Sequence, residues 1–420
     1  MNVVFITPVT PYKENMRGPS GHPYHLMIER PDNIDITIYS FNNNHLSVET
    51  IHEVEKELRV KIKLLAQPKW LLWILKLHLA FIRLLLKFPI NYYIRLNKYQ
   101  VKEIEEEKPD LIWGYCQEFS GILKQFRNFK RLHTLPDCYS LHFYRRLGKR
   151  LTLTSKKEYL RVIANYSKHY RMECYYDSSN NIVYHLVGEE DKNFLLEINP
   201  KLNAHFIRHP HYDVCTNGND NVNRGHFHQP KIKLLIAGQY NFYMKQDADL
   251  LIRSLIPNPY PKERGIDDLH KSEKSVVELL KEHYTITFLG KGWDEHVETL
   301  RGVGYEVNHI KFADNYIEEI CKHDIQITPI SIGTGTKGKV LDALANGLLV
   351  IGTGYAMENI AVENGVSCIE YRQPSEVVNV LVDISTDREK YEKMAAKGRQ
   401  CVLKYHDRKL LSKYLFGIIH

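Results

Sequence analysis

Twice along this chain of 420 residues, short apolar runs alternate with helical stretches, and that repetition limits the fold more than any other feature. The first series reads Val3–Ile6, Ile34–Phe41, Asp110–Tyr115, Phe129–His133 and Asn181–Val187, with its first helix expected at His22–Arg30 behind a turn through Gly18-Pro-Ser-Gly21. The second reads Lys233–Ala237, Thr285–Leu289, Val307–Ile310, Ile325–Ile330 and Leu348–Ile351. Apolar strands separated by helices belong to parallel sheets covered on both faces, so each series predicts a parallel α/β layer. Between them Pro210–Pro230 thins to Asn, Gly, His and Asp, as linkers do. The expected organisation is a first domain over 1–212, a linker over 213–230 and a second domain over 231–420, with the last helix free to pack back on the first domain.

Composition narrows the setting. Hydrophobic residues make up 43% and charged residues 25%, which suits a folded protein with real cores. The seven cysteines are scattered without a C-x-x-C pair, and the chain enters Val3–Ile6 without a basic and apolar leader, so a reducing, cytoplasmic location is expected. The net charge of +7 is uneven: residues 1–210 carry +9 and residues 211–420 carry −2. The surplus is densest over 124–171, where thirteen Lys and Arg meet only Asp137 and Glu158; such a region attracts phosphate groups.

Residues 69–96 are strongly apolar, but Lys76, Arg83 and Lys87 interrupt them, and no uncharged run of about 20 residues can span a bilayer. Lys69, Lys76, Arg83 and Lys87 recur at spacings that predict one helical face, opposite Trp70, Trp73, Ile74 and Leu77. Two readings stand: a helix lying in the plane of an anionic membrane surface, or a packed helix whose basic stripe faces water.

The stretch Ile325–Thr353 carries the most chemistry. An apolar strand ends at Thr328-Pro329, the loop Gly333-Thr-Gly-Thr-Lys-Gly-Lys339 follows, and a helix is expected over Lys339–Asn346 before a second strand. Loop amides and a helix amino terminus favour negative charge, and Lys337 and Lys339 add to it. Asp342, one turn along, has the chemistry to accept ribose hydroxyls. The run is not a nucleotide-hydrolysing P-loop, because Val340 stands where Ser or Thr is required after Lys339.

The run Pro329-x-x-x-Gly-Thr-Gly-Thr-Lys-Gly-Lys-Val-Leu-Asp-Ala-Leu-Ala-Asn-Gly resembles the donor-site signature of retaining GT-B glycosyltransferases of family 4, and Glu358-Asn-Ile360 resembles that family's Glu-Gly-Ile segment. Asp137-x-x-Ser140, the strand ending before Glu189, and Ile207-Arg-His-Pro-His211 fall in the same order as in that family. The resemblance implies two Rossmann-like domains facing a central cleft, the second holding a UDP- or GDP-type sugar and the first a glycan or lipid-linked acceptor. Carried over, Lys337 or Lys339 neutralises the diphosphate, Gly333, Gly335 and Thr336 line it, and Asp342 meets ribose. Thr334 stands where the family has an acid, and Gln239 where an arginine commonly follows the second domain's first strand, with Lys245 as a substitute.

In the first half, Gly18 and Gly21 are either the glycine loop that approaches donor and acceptor or simple turn residues. His133 and Asp137 either flank the reacting sugar or, for Asp137, cap a helix. His209-Pro-His211 and His226-Phe-His228 lack a ligand set, so no metal or other cofactor is expected beside the nucleotide sugar. The expected activity is transfer of a sugar with retention, in polysaccharide or glycoconjugate synthesis, on the inner face of the plasma membrane. Its rivals are a nucleotide-sugar 2-epimerase and a phosphate- or nucleic-acid-binding protein; the absence of an aromatic-interleaved RNA motif weakens the last.

Overall fold

The computed structural model describes residues 1–13, 17–77, 82–148, 155–215, 226–256 and 276–419. The centre of the expected linker, Thr216–Gly225, lies outside them, as do 78–81 of the amphipathic segment and 149–154 of the basic region. The chain forms two compact units, Met1–Pro210 with Asp407–His420, and His211–His406.

The first unit holds strands β1 (Asn2–Thr7), β2 (Asp35–Ser40), β3 (Lys61–Leu64), β4 (Leu111–Tyr115), β5 (Arg131–Leu135), β6 (Ile182–Leu186) and β7 (Ala204–Phe206). They pair in the order β3-β2-β1-β4-β5-β6-β7, all parallel. The second holds β8 (Ile232–Ala237), β9 (Tyr284–Leu289), β10 (Val307–Ile310), β11 (Ile325–Thr328), β12 (Leu349–Thr353) and β13 (Ile369–Tyr371), in the parallel order β10-β9-β8-β11-β12-β13. Both are doubly wound Rossmann-type sheets, and the direction of winding reverses between β1 and β4 and between β8 and β11. Such reversals open a crevice at the carboxyl ends of the two strands, where ligands bind in this architecture.

Both faces of each sheet are covered. In the first unit Phe5 and Trp113 pack against Tyr24 and Leu26 of the helix Arg17–Ile28 and Leu415 and Phe416 of the helix Arg408–Gly417. The Ser412 hydroxyl donates to the Leu26 carbonyl at 2.7 Å, and the Trp113 and Phe416 rings meet edge-on at 5.7 Å, so the end of the chain completes the first core. The opposite face packs Val4, Ile6 and Ile112 on Ile122, Leu123 and Phe126.

Two expectations need correction. The first helix starts at Arg17, so Gly18 and Gly21 lie inside it and not in a preceding turn. Pro19 is tolerated because the first turn needs no N–H, and burial of residues 20–27 outweighs the turn-like composition. In the helix Lys69–Lys76 the lysines and tryptophans do not face opposite ways: Lys69, Trp70, Leu72, Trp73 and Lys76 are all exposed, and Leu71 is buried.

In the second unit, the carbonyl of Gly238, just past β8, accepts the Trp293 indole N–H at 2.8 Å. Gly290, just past β9, is so close that a Cβ there would stand 2.2 Å from the same oxygen, and its φ is +144°. Gly290→Ala is therefore expected to cost at least ~2 kcal/mol. Urea unfolding of the variant checks this, and an unchanged midpoint would mean that the two strand ends are not held together as described.

Candidate functional site

The second unit's crevice is lined from two sides. From β8 come Gly238 (φ +139°) and the exposed Gln239; Gly238 N–H donates to Leu289 O at 2.9 Å. From β11 comes the loop through Pro329 and Gly333 to Lys337, which feeds the helix Gly338–Ala345. Lys339 is exposed, reaches over the Tyr316 ring at 5.6 Å, and places its ammonium 3.9 Å from where a Cβ on Gly238 would stand. The topology thus brings a cation from one strand end onto the glycine turn of the other.

The loop between them is tightly wound. Gly335 takes φ +62°, which a glycine adopts without strain, and a Cβ on Gly333 would meet Lys337 Cε at 2.9 Å. Lys337 Nζ donates to Thr334 O at 3.0 Å and Gly335 O at 2.7 Å and lies 3.7 Å from Glu358 Oε2. Lys337 therefore braces the loop, and Lys339 is the lysine that faces outward. Thr334 and Thr336 are half-buried on the same loop; Asp342 lies one turn along the helix, buried to 2%.

Ser331 was not singled out in the sequence, yet it joins the two sides. Its backbone N–H donates to Tyr243 O at 2.7 Å; its hydroxyl accepts from Asp247 N–H at 3.0 Å and donates to Met244 O at 3.3 Å. It thereby supplies the helix Lys245–Ser254 with the side-chain cap that Met244 lacks. That helix starts with Lys245, which is exposed. Nothing in local sequence spacing marks a cap contributed from 84 residues away.

In the first unit, Gly18 is exposed and Gly21 buried on the helix that follows β1. His133 is fully buried in β5 beside the stacked Tyr176 and Tyr184 rings, its Nε2–H donating to Cys116 O at 2.8 Å. Burial pushes its pKa down to about 4, so it is a neutral imidazole that steadies Cys116, which has φ +85°. Asp137 is half-buried, and its carbonyl accepts from Gln117 Nε2 at 2.5 Å.

Past Asp137, the start of the helix Tyr139–Gly148 receives two buried carboxylates from other helices. Asp191 accepts from Cys138 N–H at 2.7 Å, and Glu173 accepts from the N–H and hydroxyl of Ser140. Glu189 and Glu190 stay in the first turn of the helix Glu189–Ile198.

Three more imidazoles gather near the carboxyl ends of the first unit's strands. His22 bonds Tyr115 Oη through Nδ1 at 3.1 Å and packs on the His209 and His185 rings at 4.6 and 5.8 Å. Burial lowers all three, His185 and His209 to about 4. Of these three only His209 belongs to a repeated His in the sequence; His22 and His185 join it only in the fold. Among the described residues no group of three His, Cys, Asp or Glu is placed to hold a metal ion.

Comparison with known proteins fits this geometry. Residues 271–410, which contain the glycine loop, match the glycosyl transferase-like family. No curated protein matches the sequence. Among solved structures, HepE of Anabaena in complex with UDP-glucose superposes with a TM-score of 0.59 at 12% identity, over 100% of this chain and 99% of that one. Sucrose-phosphate synthase of Thermosynechococcus elongatus gives 0.61 at 10%, over 100% and 98%. WaaG, a glycosyltransferase involved in lipopolysaccharide biosynthesis, gives 0.56 at 11%, over 99% and 100%. The fold is GT-B. The matched segment and the GT-B fold together support a glycosyltransferase enzyme.

The buried caps give a pH test. Glu173 is pushed up to about 7 by burial, which outweighs the bonds from Ser140 that favour its ionised form. The folded state therefore holds this proton more tightly than the unfolded chain, and the group's contribution to stability is lost as pH rises from about 4.5 through about 7. Glu173→Gln is expected to flatten that part of the profile and to raise the thermal midpoint at pH 8. An unchanged slope in the variant would assign the pH dependence to other groups.

Proposed function

We propose that this protein transfers a sugar from a UDP- or GDP-type nucleotide sugar to a glycan or lipid-linked acceptor, with retention at the anomeric carbon. It does so in polysaccharide or glycoconjugate synthesis, as a peripheral protein on the cytoplasmic face of the plasma membrane. The observation that carries the reading is Lys339, exposed at the β8–β11 crevice beside Gly238 and at the start of a helix. A uridine donor is favoured because HepE, of the same fold, was crystallised with UDP-glucose.

In this reading the bond between the anomeric carbon and the diphosphate oxygen breaks, and charge builds on the departing phosphate. Lys339 and the amides opening the helix Gly338–Ala345 stabilise that charge. The acceptor hydroxyl adds from the face the phosphate leaves, and its proton passes to a phosphate oxygen. Lys337 acts through the loop it braces, and Glu358 through Lys337. Gln239 and Lys245 flank the phosphates, and Asp342 meets the ribose. Asp137, half-buried, is the first-unit residue proposed to meet the acceptor hydroxyl; His133 is sealed in the sheet.

Incubation with a panel of nucleotide sugars and cell-envelope acceptors tests the reading through nucleotide release. Lys339→Ala is expected to lower kcat by roughly 100- to 1000-fold with an unchanged thermal midpoint, the scale of losing one preorganised donor to a developing charge. A wild-type rate in Lys339→Ala would remove the lysine from the reaction. Turnover of a UDP-sugar without any acceptor would replace the transferase reading with epimerisation.

A further inference from the structure

The outer face of the helix Lys69–Lys76 exposes the side chains that a soluble helix normally buries. Trp70 is 38% exposed, Leu72 49%, Trp73 61% and Leu77 53%, whereas Leu71 is anchored in the first unit's core. At 3.6 residues per turn Lys69 stands about 40° and Lys76 about 60° around the helix from Trp73, so the cations and the indoles share one arc. From Leu58 to Lys102 the sequence contains ten Lys or Arg and no Asp or Glu.

The surface continues beyond this helix. The 82–88 segment lies against the helix Lys156–Cys174: Lys87 Nζ bonds Tyr175 Oη at 3.3 Å and sits 4.5 Å from its ring centre, and Leu85 is 81% exposed. Leu77 and Ile82 are five residues apart, so the chain keeps them within roughly 18 Å. Tyr159, Leu160, Ile163 and Tyr170 form an exposed stripe on the Lys156–Cys174 helix, among the exposed Lys156, Arg161 and Arg171. Its two acids are taken up, Glu158 by Arg146 at 2.8 Å and Glu173 by burial.

We infer that this face docks on an anionic lipid bilayer, with Trp70, Trp73 and Leu77 entering the headgroup region and Lys69 and Lys76 meeting lipid phosphates. Indoles suit that boundary because one edge is apolar and the other donates a hydrogen bond, and lysine stems bury while their ammonium groups reach the charged layer. Each lysine near such a surface adds to binding. A second copy of the chain is a poor occupant, since a self-complementary contact would set this basic face against itself. No described helix is long and apolar enough to cross a membrane, so docking in the plane is the mode these residues provide. The inference deepens the peripheral location proposed above but rests on the first unit's surface, not on the donor chemistry.

The chain has four tryptophans, and Trp113 and Trp293 are fully buried, so lipid-dependent changes in tryptophan emission report on Trp70 and Trp73. Full-length protein is mixed with vesicles of phosphatidylcholine alone or with one-third phosphatidylglycerol, with and without brominated lipid. The anionic vesicles are expected to shift emission to the blue, to quench it when brominated, and to float the protein, with all three effects weakened by 0.5 M salt. Lys69→Gln/Lys76→Gln is expected to weaken partition roughly 30-fold, and Trp70→Ser/Trp73→Ser to abolish flotation at an unchanged thermal midpoint. Absence of quenching and flotation on anionic vesicles would overturn the inference, as would a blue shift that follows protein concentration without lipid and marks self-association. UDP binding by the same sample, read by calorimetry, separates this outcome from failure of the transferase reading.

Discussion

At the end of the first strand of the second unit, one carbonyl sets the spacing on which the crevice depends. Gly238 O receives the Trp293 indole at 2.8 Å, and Gly290 approaches it as no residue with a side chain could. The two strand ends are held at backbone contact, and Gly238 itself is left without a Cβ on the side where Lys339 arrives. A Cβ on Gly238 would stand 3.0 Å from Met244 Sδ and in ordinary contact with the Lys339 ammonium at 3.9 Å, and its φ of +139° suits only glycine. The glycine-lysine loop is thus half of a device whose other half lies about 100 residues earlier in the chain.

The first unit repeats the winding with different contents. Trp113 Nε1–H donates to Thr134 Oγ1 at 2.8 Å, and Thr134 lies 3.1 Å from His185 Nδ1. Because His185 Nε2 faces the acceptor-only Ile207 carbonyl at 3.3 Å, that nitrogen carries the hydrogen, and the threonine hydroxyl must donate to Nδ1. The chain of bonds is directional and leaves His185 neutral, in agreement with its depressed pKa. These groups are fully buried and bonded to one another, so they form a neutral structural layer within the first unit, whereas the second unit exposes Lys339 at its crevice.

Much of this was legible in the sequence for physical reasons. Fully buried parallel strands must be apolar, so Val307–Ile310 was read to the residue and most others to within two. The edge strands β3, β7 and β13 escaped notice: Lys61-Ile-Lys-Leu64 and Ala204-His-Phe206 are only partly buried and carry no apolar run. Ile325–Ile330 was read two residues too long because Pro329, which cannot donate to a ladder, is embedded in apolar sequence. At the site, phosphate-cradle chemistry was visible in local spacing. The separation of Lys337 as brace from Lys339 as outward cation was not, because it depends on which carbonyls the loop turns toward them. Ser331 and Glu173 cap helices remote in sequence, and no local pattern encodes that.

Charge separates along the same division. Counting residues by unit, the first carries +11 and the second −4. In the docking proposed above, long-range attraction to an anionic bilayer would act on the first unit and not on the second. At physiological ionic strength this steering fades over about 8 Å, so residence must come from groups in contact with the surface. The exposed tryptophans and their neighbouring lysines are such groups: apolar area gives depth, and the ammonium groups give preference for anionic headgroups. The proposed docking therefore combines two weak contributions that salt would separate, since added salt screens the lysines and leaves the apolar burial in place.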